Sequence, residues 1–100
     1  MNITTKNMNG KTIIFLNGDL DIDSAEEFQI FFDSVLDSSN NIGIDFTDVK
    51  FIDSLGCSAL LTAWKSATNK KAVLPMYNLS DENIEILDAV GFADEFMIIE

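Results

Sequence analysis

Short strand-like runs alternate along this chain with segments whose apolar residues recur every three or four positions, and that alternation leaves few folds open. Ile3 to Met8 alternates weakly, as a first strand would. Asn9-Gly10 follows, a hairpin signal because both residues tolerate positive φ. Lys11 to Leu16 is the return strand, rich in β-branched and aromatic residues. Asn17 to Asp23 reads as a loop. Asp23 or Ser24 is expected to cap a first helix, with Glu26 and Glu27 at the positive end of its dipole. Its apolar residues, Ala25, Phe28, Phe31, Phe32, Val35 and Leu36, fall on one face.

The second half repeats the theme. Ile42 to Phe46 is a strand, and Thr47 to Lys50 a turn. Asp53-Ser54 opens a second helix, running to about Thr68, with Leu60, Leu61, Ala63, Trp64 and Ala67 on its buried side. Ala72 to Met76 is a strand whose Pro75 implies an edge or a strand end. A third helix follows Asn78 to Asp81, carries Ile84, Ile86, Leu87 and Val90, and stops at Gly91. Glu95 to Ile99 is the last strand. The order ββαβαβαβ requires right-handed crossovers, which give an α/β sandwich: a small mixed β-sheet with helices packed mainly on one face. With no repeat, low-complexity tract or linker, residues 1–100 are expected to form one domain.

Charge narrows the partners. Six Lys and no Arg stand against 17 Asp and Glu, for a net charge of −11. Nucleic acids and anionic membranes need cations on the protein, so neither is an expected partner. A basic protein surface is the favoured one, approached by electrostatic steering. Cys57 stands alone, so no intrachain disulfide forms, which fits a reducing compartment. The first residues lack the apolar core of a signal peptide, and no apolar run approaches the roughly 20 residues of a membrane helix. The expected location is the cytoplasm, and the expected state a monomer or weak dimer.

Catalysis has little to work with. There is no His for a general base or metal ligand and no Arg to clamp an anion. Ser-His-Asp and Cys-His sites cannot be assembled, and no phosphate-loop or dinucleotide motif occurs. Asp19-x-Asp21-x-Asp23 has the opening of a calcium loop, but Ser24 stands where a Gly belongs and Ile30 where a bidentate Glu belongs. Paired-carboxylate glycoside chemistry needs a cleft that so small a chain hardly offers. The chain is therefore expected not to be an enzyme, with no metal and no cofactor of its own.

The most informative segment is Phe51-Ile52-Asp53-Ser54-Leu55-Gly56-Cys57. It passes from an apolar strand end through Asp-Ser into a helix. A Ser there has a structural use, as its hydroxyl can satisfy an orphan N–H. It also has a functional use, because an exposed Ser at a helix N-terminus can be modified, and a phosphate there meets free N–H groups and the positive dipole end.

Three stretches together resemble one family. Leu16 to Asp21 followed by Ser24-Ala25 is similar to its Gly-Glu-Leu-Asp loop and first helix. Ile44-Asp45-Phe46 through Gly56 is similar to its hydrophobic strand and Asp-Ser-x-Gly phosphorylation motif. Ile86 to Phe92 resembles its closing helix and Gly signature. The family is the STAS domain, typified by anti-sigma factor antagonists. The resemblance implies that Ser54 is phosphorylated by a partner anti-sigma factor, an ATP-dependent serine kinase, and reset by a serine phosphatase. It implies that Asp21 and Asp53 help dock that kinase and that ATP and Mg²⁺ belong to the kinase. Asp19, Asp21 and Asp53 are then expected to crowd Ser54, with Leu55, Gly56 and Cys57 as contact surface and Gly56 admitting a partner backbone. Some members are instead fixed subunits of sensory or transporter complexes, and in that alternative Ser54 is only a helix cap.

The chain departs from the family at three points. Leu55 replaces a second Ser, which leaves one acceptor. Asn69-Lys70-Lys71 replaces a Gly pair before the fourth strand. Glu100 falls just after the last strand, where many members add a helix, an ending expected to expose an apolar sheet edge to a partner or a second copy.

Overall fold

Asn2–Met8 (β1) and Lys11–Asn17 (β2) pair antiparallel, with Met8 opposite Lys11 and Asn2 opposite Asn17. Asn9 and Gly10 connect them at φ 57° and 83°, the positive values that a two-residue type I′ turn demands. The computed structural model describes residues 1–91 and 96–99. After the hairpin come Ala25–Ser38 (α1), Ile42–Asp48 (β3), Ser54–Asn69 (α2), Pro75–Tyr77 (β4), Asp81–Ala89 (α3) and Met97–Ile99 (β5).

The five strands lie side by side in chain order, β1-β2-β3-β4-β5. β1 is antiparallel to β2, and the remaining pairs are parallel. Each parallel step carries one helix. Right-handed crossovers that all step in the same direction put α1, α2 and α3 against the same face of the sheet. The mixed sheet with helices on one side expected from the sequence is the sheet observed.

The core follows from strand alternation. Ile14 and Leu16 of β2 and Ile42, Ile44 and Phe46 of β3 point to the helical face and are buried. They meet Phe28 and Phe32 of α1, Leu60 of α2 and Leu87 of α3, all fully enclosed. Phe28 and Phe32, one turn apart, pack with ring centroids 6.0 Å apart and tilted 34°. Removing either ring would cost about 3–5 kcal/mol by the usual core-truncation scale. Cys57, Ala63 and Ala67 keep most of the inward side of α2 small. Leu61 and Trp64, expected on that side, are only partly buried against the core.

One boundary departs clearly from expectation. The fourth strand starts at Pro75 rather than Ala72, because the chain leaving α2 is still closing the helix. Lys71 takes φ 59°, and the Ala72 N–H donates to the Ala67 carbonyl at 2.9 Å. Pro75 is thus a strand end, not an edge, since β4 lies between β3 and β5. α3 stops at Val90-Gly91, with Gly91 at φ 80° as the expected C-terminal glycine. Of the last strand, Glu95 lies outside the described residues, as does Phe92 of the closing signature. Among the described residues no helix is long and apolar enough to cross a membrane.

Candidate functional site

Two loops meet at the carboxyl ends of the parallel strands, the end where open α/β sheets place their binding crevices. The loop after β2 and the loop after β3 run alongside each other through a parallel bridge between Leu20 and Ile52. The Leu20 N–H donates to the Phe51 carbonyl at 2.9 Å, and the Asp53 N–H donates to the Leu20 carbonyl at 3.1 Å. Leu20 and Ile52 are fully buried beneath this strip and anchor it to the core.

Asp53 locks the strip to α2. Its Oδ1 accepts the Gly56 N–H at 2.8 Å, which is N-terminal capping, and its Oδ2 accepts the Ile22 N–H at 3.1 Å. The Cys57 N–H donates to the Asp53 carbonyl at 2.9 Å. Asp53 is therefore the cap of α2, and the reading of Ser54 as a cap is corrected. Ser54 is the first helical residue and is exposed. Its carbonyl accepts from the Ser58 hydroxyl at 3.1 Å, while its own hydroxyl has no hydrogen-bond partner among the described residues. The N–H groups of Ser54 and Leu55 are likewise left over from the capping.

Asp21 organises the other loop. Its Oδ1 accepts the N–H groups of Asp23 at 3.0 Å and Ser24 at 3.2 Å. The Ser24 hydroxyl accepts the Asp21 N–H at 3.0 Å and donates to the Asp19 carbonyl at 2.7 Å. Ser24 stands at the N-cap position of α1 but makes no side-chain cap, so the expectation of capping by Asp23 or Ser24 is corrected. The hydroxyl is spent on closing the loop instead. Of the three predicted carboxylates, Asp53 and Asp21 hold backbone in place, while Asp19 is exposed.

Gly56 and Cys57 are a further correction, because both are buried. A Cβ on Gly56 would overlap the Leu20 carbonyl oxygen, so the missing side chain serves the chain's own loop rather than a partner backbone. Cys57 is fully enclosed, and burial pushes its thiol pKa up from the ordinary 9.0, helped by the nearby Asp53 charge. Leu55 is 46% exposed.

Two exposed apolar residues were missed by sequence reasoning. Ile22 and Phe51 are 66% and 49% exposed. Both belong to the two loops beside Asp53, and with Leu55 they surround the helix start with apolar surface. Ile22 carried a signal, as an isolated apolar residue between Asp21 and Asp23, whereas Phe51 carried none beside the buried Ile52. Asn83 of α3 was missed as well. It is fully buried, and its side-chain amide donates to the Val49 carbonyl at 3.1 Å, which fixes the turn that leads to Ser54.

The sequence matches the STAS domain over residues 2–100. No curated protein matches it. Among solved structures, a candidate anti-sigma factor antagonist from Thermotoga maritima superposes with a TM-score of 0.88 at 20% identity, over 98% of this chain and 86% of that one. An anti-sigma factor antagonist from Mycobacterium paratuberculosis gives 0.84 at 16% identity, over 97% and 83%. The phosphorylated form of the Bacillus cell fate determinant SpoIIAA gives 0.73 at 17% identity, over 99% and 92%. At such identities the structures speak for the fold, which is that of anti-sigma factor antagonists. The match over nearly the whole sequence speaks for descent, and the chain belongs to the STAS domain family.

Proposed function

We propose that this STAS domain is a partner-switching regulator of the anti-sigma factor antagonist kind, with Ser54 as its phosphoacceptor. The observation that carries the reading is a division of labour. Asp53 does the capping, so the Ser54 hydroxyl is exposed and has no hydrogen-bond partner among the described residues. In the reaction the Ser54 Oγ attacks the γ-phosphorus of a kinase-bound ATP. The bond from that phosphorus to the ADP oxygen breaks, and the hydroxyl proton passes to a base on the kinase.

The product has somewhere to sit. The remaining N–H groups of Ser54 and Leu55 and the positive end of a 16-residue helix stabilise a phosphate there. The outer surface changes more than the fold. A group of about −1.5 to −2 charge arrives amid Ile22, Phe51 and Leu55, on a molecule already at −11. A partner that covers these apolar residues must then desolvate a dianion, and each 1.4 kcal/mol of that cost weakens binding about tenfold. In this reading the partner is an anti-sigma factor with kinase activity, a serine phosphatase resets the switch, and the domain, residues 1–100, works in the cytoplasm without catalysing a reaction.

The test is binding of the purified chain, of Ser54→Asp and of Leu55→Ala to an anti-sigma factor captured from the source cells. Ser54→Asp and Leu55→Ala should each weaken the complex at least tenfold while remaining folded. Equal affinity of all three proteins would reject the proposed surface.

A further inference from the structure

The sheet face opposite the helices carries a hollow of about 340 Å³, near the lower end of the range for small-ligand sites. Its walls are apolar, with Met8, Ile13, Phe15 and the ring of Tyr77. Tyr77 packs directly on bare backbone, since a Cβ on Gly43 would stand 2.7 Å from its Cε2.

Lys11 stands in this hollow and is half-buried. Its ammonium lies 5.7 Å from the centre of the Tyr77 ring and donates to the Tyr77 Oη at 3.1 Å. Among the described residues it has no carboxylate within ion-pair distance, and the one ion pair found there is Lys70 with Asp37, at 3.5 Å. That is unexpected in a chain with 17 acids and six bases. The acid of the hollow, Asp45, is already engaged. Its Oδ1 accepts the Thr47 N–H at 2.8 Å, and its Oδ2 accepts the Asn78 side-chain amide at 2.9 Å. A second cation lies on the same face, with the Lys6 ammonium 5.8 Å from the centre of the Phe15 ring.

Donation from Lys11 occupies a lone pair of the Tyr77 oxygen and leaves the phenol proton free to donate outward. Lys11 keeps two further N–H donors. The hollow thus offers three donors and apolar walls, and among the described residues its ammonium has no ion-pair partner, since the Asp45 carboxylate is turned to Thr47 and Asn78.

We propose that this hollow binds a small organic anion with a flat apolar body, such as an aromatic carboxylate, independently of the Ser54 end. The carboxylate lies on the Lys11 ammonium and the Tyr77 hydroxyl, and the ring lies against Phe15 and Met8.

The experiment titrates 2-naphthoate into the ¹⁵N-labelled chain, with the neutral 2-naphthalenemethanol as control. The expected result is saturable shifts centred on the amides of Lys11, Phe15 and Tyr77. The alcohol, and 2-naphthoate on Lys11→Met, should each bind about tenfold more weakly, the effect of one charged hydrogen bond. Tyr77→Phe keeps the ring, removes the phenol donor and should weaken binding severalfold. Lys11→Gln replaces Lys11→Met if the latter fails to fold. Absence of saturation, equal affinity for acid and alcohol, binding indifferent to the Lys11 variant, or shifts mapping to another surface would each overturn the proposal.

Discussion

The backbone of Gly56 lies against the carbonyl of Leu20 with no room for a side chain between them. The contact seats the start of α2 on the loop that follows β2. Gly56→Ala would push a methyl group into a carbonyl oxygen that is fixed by the Asp53 N–H at 3.1 Å. Overpacking against backbone costs about 1–3 kcal/mol, so the urea midpoint should fall although alanine is the better helix former. An unchanged or raised midpoint would mean that the two elements separate freely.

Asp53 joins the same elements through its side chain. Asp53→Ala loses the cap of α2 and the bond to Ile22 together, for an expected loss of about 1–2 kcal/mol. Asp53→Asn keeps a carbonyl oxygen as acceptor, so it should retain the greater part of that stability. Denaturant titration of the three proteins checks the order wild type, Asn, Ala.

Ser54 behaves differently because no described residue bonds its hydroxyl. Ser54→Ala should lie within about 0.5 kcal/mol of wild type, as exposed substitutions away from special features do. Ser54→Glu adds negative charge to the first turn of α2, where the dipole favours it, so the protein should be at least as stable. A thermal melt that fell sharply for Ser54→Ala would assign the hydroxyl a structural role.

Cys57 supplies the pH dependence. Its thiol is held neutral by burial and by the nearby Asp53 charge, with a pKa above the ordinary 9.0. Well below pH 9 the thiol is protonated in the folded and unfolded chains alike and adds no slope. Above that, the unfolded chain ionises first and binds fewer protons, so stability falls as pH rises until the folded thiol also ionises. Cys57→Ala should remove this part of the decline. The enclosed thiol should also resist a thiol-reactive reagent at pH 8 until the protein is unfolded.

Much of this was legible from residues alone. The hairpin was written in Asn9-Gly10, and the parallel order in the alternation of periods. The site's place was legible too, because an apolar strand end running into Asp-Ser reads as a helix start. What escaped were facts of tertiary approach. Asp53 and Ser54 are equally good caps on paper, and only the loop carrying Ile22 selects Asp53, by offering its second oxygen an N–H. Gly56 read as open to a partner because sequence does not show that the Leu20 carbonyl already fills the space. Asn83 drew no attention in the sequence, because its burial under the Val49 turn is set by contact with a segment 34 residues away.

The most direct test is where phosphate lands. Wild type and Ser54→Ala would each be incubated with ATP and an extract of the source cells, repurified and weighed by intact-mass spectrometry, with tandem fragmentation to locate the group. The wild-type chain should gain the mass of one phosphoryl group at Ser54, and Ser54→Ala should gain none. Phosphate on Ser54→Ala, or on any other residue of the wild-type chain in place of Ser54, would contradict the switch.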